Sequence, residues 1–233
     1  MRIDIMTLFP EMCLSFLGES IIGRARENGK VIINCRNIRD YSKDKHKRVD
    51  DYPYGGGSGM ILQVQPIFDC YKSLCYELGK RPHLICMSPR GKVLNQNRAK
   101  ELLNYENIAI LCGHYEGIDE RVNTELIDEE ISVGDYVITG GELPALILAD
   151  CISRMIPGVL SSDESFENES HYSGLLEYPQ YTRPSEWHGM RVPDVLLSGN
   201  HAQIDKWRAD QSLEVTIRNR PDLIKETKII KKD

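Results

Sequence analysis

The sequence has no apolar run near the ~18 residues that a membrane span requires. Its opening, MRIDIMTLFPEM, lacks the apolar segment and cleavage site of a secretory signal. Both absences lead us to expect a cytoplasmic protein with no membrane partner. There is no Cys-x-x-Cys spacing, and the seven cysteines are an odd number. That argues against a disulfide framework and against a zinc cluster, so no metal ligand is assigned. Cys70, Cys75, Cys86, Cys112 and Cys151 lie inside apolar stretches and read as small hydrophobes. Two nucleotide signatures are also missing. No glycine-rich loop ends in Gly-Lys-Ser/Thr, and no Gly-x-Gly-x-x-Gly follows the first strand pattern. NTP and dinucleotide binding lose their usual support.

What is present is a chain of 233 residues, 41% hydrophobic and 27% charged, long enough for one large domain or a larger and a smaller one. The formal net charge of −6 gives no reason by itself to expect a nucleic acid. The distribution matters more. Six Lys or Arg stand against two Asp between Arg36 and Arg48, whereas eight acids and one Arg lie between Glu116 and Asp135. An acidic protein can still offer a local basic patch to a phosphate backbone, and a solvated charged loop explains the run equally well.

Residues 1–160 alternate in pattern. A strand in MRIDIMT is followed by a helical stretch ending near Gly29, then a strand in VIINCRNI. PIFDCYKSLCYEL carries Ile67, Cys70, Tyr71, Leu74, Cys75 and Leu78 at helical spacing. HLICM and IAILC read as short buried strands separated by the helical NQNRAKELLNYE, and ELPALILADCISRMI reads as a buried helix. Strands alternating with helices imply an α/β domain with a mainly parallel sheet. Residues 161–173, SSDESFENESHYS, have almost nothing to bury and read as an acidic linker. Residues 174–233 then read as a small helical domain in which Asn200, with Gln203 three residues on, caps a helix.

Three glycine-rich stretches stand out. YPYGGGSGM sets Gly55, Gly56, Gly57 and Gly59 directly after the basic run, which suits close approach of another backbone or a flat base, or else a flexible hairpin. ILCGHYEGIDERV and SVGDYVITGGELP place glycines after a strand and before the buried helix. Loops at the carboxyl ends of parallel strands are where ligands sit in open α/β sheets.

With YGGGSGM, LCGHYEGIDERV, SVGDYVITGGELPALIL, RMIPGVL, GLLEYPQYTRP and VLLSGNHAQIDKWR in this order, the chain resembles the bacterial tRNA (guanine-N1)-methyltransferases over essentially its full length. These belong to the SPOUT methyltransferases. The resemblance implies a trefoil-knotted parallel-sheet domain followed by a small helical C-terminal domain. The knot, across roughly residues 84–142, would form a pocket for S-adenosylmethionine. It implies Ser88, Pro89, Gly113, Tyr115, Glu116, Val133, Gly134, Tyr136, Ile138, Gly140, Gly141 and Pro144 as cofactor residues. Val133, Ile138 and Pro144 also suit simple packing.

The expected reaction is methylation of N1 of the guanosine at position 37 of tRNA. Arg154 is implied as the cation at O6, and Glu169 as the general base where the best-known members carry Asp. Asp163, Glu164 and Glu167 are further linker carboxylates. Asp50 and Gly59 would lie near the target base. Lys43, Lys45, Lys47 and Arg48, with His201 and Arg208 of the C-terminal domain, would hold the anticodon stem-loop; Trp207 suits either that role or the core. The resemblance further implies a homodimer with active sites shared between chains, and a need for Mg2+ without a dedicated protein site. A non-catalytic RNA-binding protein and a knotted methyltransferase for another RNA are the competing classes. The first has no use for the cofactor loops, and the second none for YGGGSGM or the C-terminal segment. A class I methyltransferase would show an acidic Gly-x-Gly-x-Gly turn, which is absent.

Overall fold

The computed structural model describes residues 1–160 and 169–224. Residues 161–168 of the expected linker, with Asp163, Glu164 and Glu167, lie outside the described residues, as do residues 225–233. The chain divides into two compact units, Met1–Ser161 and Ser162–Asp233.

The first unit is built on five parallel strands, β1 (Arg2–Thr7), β2 (Ile32–Asn37), β5 (His83–Val93), β6 (Asn107–Cys112) and β7 (Glu129–Ser132), in the order β2-β1-β6-β5-β7. A two-residue antiparallel pair, β3 (Asp50–Asp51) and β4 (Ile61–Leu62), frames the glycine-rich loop. Both faces of the sheet are covered, and period-2 alternation sorts the side chains between two cores. On β6, Ile108, Ile110 and Cys112 join one core and Ala109 and Leu111 the other. On β5, Ile85 and Met87 likewise oppose Leu84 and Cys86.

One core is roofed by α1 (Pro10–Leu17), α2 (Ser20–Glu27), α4 (Gln96–Leu102) and α6 (Glu142–Ser153), the other by α3 (Val64–Leu78) and α5 (Glu120–Glu125). In α3 the buried Ile67, Cys70, Tyr71 and Leu74 follow the helical spacing expected, and Gly79 ends the helix in the left-handed region at φ +65°. All seven cysteines are free thiols.

Two expectations need correction. The single helix before Gly29 is two, because the chain turns at Gly18 and Glu19; a Cβ on Gly23 would fall 2.3 Å from the Gly18 carbonyl oxygen. And α6 is not buried all round. Leu146, Leu148, Ala149 and Ile152 pack inward, but Leu143 and Ile147, one turn apart, stay exposed. On the neighbouring α1, Met12 and Phe16 are exposed in the same i, i+4 relation.

In the second unit a two-stranded hairpin, β8 (Glu186–Trp187) and β9 (Met190–Arg191), precedes α7 (Asp194–Leu197) and the 19-residue α8 (His201–Asn219). The Asn200 side chain accepts from the Gln203 amide at 3.3 Å, the cap expected of it. Among the described residues no helix is long and apolar enough to cross a membrane.

Candidate active site

The loops that leave the carboxyl ends of β6 and β7, with the irregular middle of β5, enclose a cavity of about 330 Å3. All twelve positions expected to hold the cofactor line it. Ser88 and Pro89 stand where the pairing of β5 with β7 slips between Met87 and Lys92. Gly113, Tyr115 and Glu116 follow β6, and Val133, Gly134, Tyr136, Ile138 and Gly140 follow β7. Gly141 caps α6, and Pro144 sits in that helix's first turn, where its missing N–H has no intrahelical partner to lose.

The local sequence explains the shape. Ser132 Oγ accepts from the Gly134 amide at 3.1 Å and donates to the Gly134 carbonyl at 2.9 Å, which turns the chain sharply after β7. The Gly141 amide then donates to the Gly113 carbonyl at 2.8 Å, tying the two loops together. That approach requires glycine: a Cβ at 141 would lie 2.7 Å from Cys112 Cα and 2.8 Å from the Gly113 nitrogen. Such walls present backbone donors and acceptors to a ligand at close range.

The cavity's charged groups are mainly acidic. Glu116 and Glu130 line it, and Arg90, also lining, is held by Glu130 at 3.1 Å and by Glu120 at 3.5 Å. In the cavity lining, burial pushes the Cys86 thiol up to about 12. Burial, with the Glu142 charge beside it, pushes Cys112 well above its ordinary value. These thiols are inert packing groups. Sequence reasoning missed Arg90, His114, Glu130, Ser132 and Thr139 as lining residues. His114, Glu130, Ser132 and Thr139 lie inside or beside two of the glycine-rich stretches, and Arg90 follows the expected Ser88 and Pro89.

The glycine-rich loop reaches this site. A Cβ on Gly59, at φ +90°, would stand 2.5 Å from Glu116 Cγ, and the Glu116 amide donates to the Met60 carbonyl at 3.0 Å. Asp50, in β3, pairs with Leu62 of β4 at the base of the same hairpin. The basic run is exposed but partly neutralised: Lys43 meets Asp69 at 3.0 Å, Lys47 meets Asp40 at 3.9 Å and Arg48 meets Asp44 at 3.1 Å. Lys45 is exposed as well.

Arg154 is not among the residues lining the cavity. It caps the carboxyl end of α6, its amide donating to the Asp150 carbonyl at 3.0 Å. Burial raises the Asp150 carboxyl, and the Arg154 charge offsets this only in part. Ten residues of helix separate Arg154 from Pro144, about 15 Å of rise. One chain therefore holds the cavity and Arg154 at opposite ends of one helix.

In the second unit, Glu169 opens a turn closed by the Tyr172 amide at 3.3 Å, and Ser170 Oγ accepts from the Glu177 amide at 3.0 Å. His201 and Arg208 are exposed on α8, Arg208 lying 5.1 Å from the Tyr178 ring centroid. Trp207 is half-buried beside Tyr181, with ring centroids 6.4 Å apart. Among the described residues no group of three or more His, Cys, Asp or Glu is arranged to hold a metal ion.

A family profile described as tRNA (Guanine-1)-methyltransferase TrmD matches residues 1–226. A tRNA (guanine-N(1)-)-methyltransferase of Ruminiclostridium cellulolyticum is 61% identical over 223 residues, 96% of each chain. Proteins of the same name from Alkaliphilus oremlandii and Clostridioides difficile are 56% and 54% identical, over 100% and 97% of this chain and 96% and 99% of their own.

Proposed function

The chain belongs to the tRNA (guanine-1)-methyltransferase family, and from that premise we propose that it transfers the methyl group of S-adenosylmethionine to N1 of the guanosine at position 37 of tRNA, beside the anticodon. The observation that carries the proposal is the convergence of the twelve residues on one cavity. Its fit to adenosylmethionine is chemical. The ligand has no phosphate, so it asks for close backbone groups around an adenine and for acidic surroundings at its cationic end, and the glycine walls and Glu116 suit both. When bound, it supplies a methyl group made electrophilic by a sulfonium. The knotted threading expected for residues 84–142 belongs to this proposal, since it is one way the loops after β6 and β7 come to share a wall.

The remaining roles follow from the guanine. Its N1 normally carries a proton, which a base must take as the nitrogen attacks. We assign this to the Glu169 carboxylate. Negative charge then spreads to O6, where a guanidinium stabilises the transition state more than the ground state. We assign this to Arg154. Because α6 keeps Arg154 about 15 Å from the cavity of its own chain, Arg154 would serve the cavity of a second copy, and the working unit would be a cytoplasmic homodimer. The exposed pairs Met12 and Phe16, and Leu143 and Ile147, support a partner on that side.

Asp50, Gly59, the basic run 43–48, His201 and Arg208 are proposed to meet the anticodon stem-loop, whose unpaired bases can be splayed out and read. The domain plan 1–160, linker 161–173 and 174–233 is part of the same proposal. The expected Mg2+ finds no ligand cluster among the described residues, and no step is routed through it.

The test is transfer of labelled methyl from S-adenosylmethionine to unmodified tRNA transcripts with guanosine at 37 and either guanosine or another base at 36, with identification of the product nucleoside. Methyl on N1 of that guanosine is the expected result. Donor binding without transfer would overturn the substrate assignment.

A further inference from the structure

Glu142 is 3% exposed, buried at the first position of α6, and among the described residues no basic side chain pairs with it. A buried carboxylate without a cation needs hydrogen bonds to hold it, and here they form a chain with a defined direction. The Phe9 amide donates to Thr7 Oγ1 at 2.9 Å, and the Thr7 hydroxyl, fully buried at the end of β1, donates to Glu142 Oε1 at 2.7 Å. The other oxygen, Oε2, lies 2.6 Å from the point a Cβ on Gly140 would occupy. His114 Nδ1 lies 2.8 Å from that same point, from the opposite loop. This nitrogen is buried and has no hydrogen-bond partner among the described residues, although its ring is packed against Phe9 and Tyr115. Being 2.6 and 2.8 Å from one point, the two polar atoms are no more than about 5.4 Å apart and make no direct hydrogen bond, an arrangement in which one water can serve both.

We propose that Glu142 is a positioning residue for donor binding: anchored by Thr7, it is bridged through one water to His114 and so fixes the Gly140–Gly141 wall of the cavity. The inference rests on the reading that this cavity takes adenosylmethionine. Nothing in the methyl-transfer chemistry uses Glu142 or His114. Glu142 stands behind the wall and His114 forms part of it, which makes the donor's affinity the quantity they control.

The experiment is calorimetric titration of S-adenosylmethionine into the full-length protein and into Glu142→Gln, His114→Ala and the double variant. It is paired with methyl-transfer kinetics and thermal melting. Each single variant should weaken donor binding about tenfold, the effect of losing one charge-assisted hydrogen bond. The double variant should be no weaker than either single, because both remove the same bridge. In turnover, the KM for the donor should rise while kcat at saturating donor holds, a split that general loss of folded protein does not produce. Thr7→Val should act like Glu142→Gln, and Thr7→Ser, which keeps the hydroxyl, should restore parent affinity. If Glu142→Gln does not fold, Thr7→Val replaces it in the cycle with His114→Ala. Unchanged donor affinity in the single variants would overturn the positioning role, and losses that multiply in the double would overturn the bridge. Failure of the parent protein to bind the donor at all would instead overturn the reading of the cavity.

Discussion

Replacing Gly141 with alanine tests whether the cavity depends on backbone approach rather than on side chains. The added Cβ would meet Cys112 Cα at 2.7 Å, the Gly113 nitrogen at 2.8 Å and the Cys112 carbonyl carbon at 3.1 Å, all main-chain atoms of the central strand and its exit. Main chain in a sheet cannot swing aside as a side-chain tip can, so the loop bearing residue 141 must retreat. Overpacking of this kind costs about 1–3 kcal/mol, and loss of the Gly141–Gly113 hydrogen bond adds about 1 kcal/mol. The sum, about 2–4 kcal/mol, corresponds to a fall in melting temperature of about 5–15 °C for a domain of this size. Gly113→Ala is the internal control, because its nearest neighbour would be the Met87 carbonyl oxygen at 3.7 Å, an ordinary contact. Its melting temperature should stay within about 2 °C of the parent, less than 1 kcal/mol on the same scale. Thermal melting of the two variants, with adenosylmethionine titration of Gly141→Ala, reads both consequences. A Gly141→Ala protein that melts with the parent and binds the donor equally well would refute the close-approach argument.

Three further outcomes are expected. Arg154→Lys should leave the melting temperature nearly unchanged, since a cation still ends α6, while methyl transfer collapses because a point charge replaces the planar guanidinium; turnover near the parent level would remove Arg154 from the chemistry. Glu169→Gln should abolish transfer at saturating substrates, and near-normal turnover would send the search for the base elsewhere in the chain. Changing Lys43, Lys45, Lys47 and Arg48 together to alanine should weaken tRNA binding and flatten its salt dependence without touching donor affinity, and equal tRNA affinity would dismiss the patch. Acid stability gives a fourth. Burial alone would raise the Glu129 carboxyl, but the hydrogen bonds from His83 and Arg98 overcome it and hold it at about 2, below its ordinary 4.5. A folded-state value below the unfolded one stabilises the fold above pH 4.5, and that contribution disappears as pH falls toward 2. The stability gap between parent and Glu129→Gln in urea titrations should therefore shrink across that window; a constant gap would contradict it.

The parallel sheet was legible because its central strands, such as IAILC, are apolar on both faces, which only a doubly covered strand tolerates. α3 was legible from spacing alone. β7 was not. Glu129 and Glu130 read as surface acids until His83, Arg98 and Arg90 are seen to take their carboxylates. The break between α1 and α2 was hidden because it turns on Gly23 lying against the Gly18 carbonyl, a contact without a pattern in sequence. For the site, glycine spacing marked the loops, but composition could not say that the loop before β4 comes to rest against Glu116. The family motifs supplied the twelve positions. The Thr7–Glu142 bond joins residues 135 positions apart, so no local reading of either segment would have found it.

The strand order has a consequence for how the molecule is made. β6 lies between β1 and β5, pairing Ile3 with Ile108 and Ile85 with Ile110, and β7 closes the edge by pairing back onto β5. During synthesis β1 leaves the ribosome without its central partner and must wait until residue 112 has emerged. The loop that completes the cavity follows later still. Until then the apolar edge of β1 is open to other chains, and such late, long-range closure makes folding slow. Ligand competence is thus among the last properties the first unit acquires, and the period before it is when that unit most needs protection from aggregation.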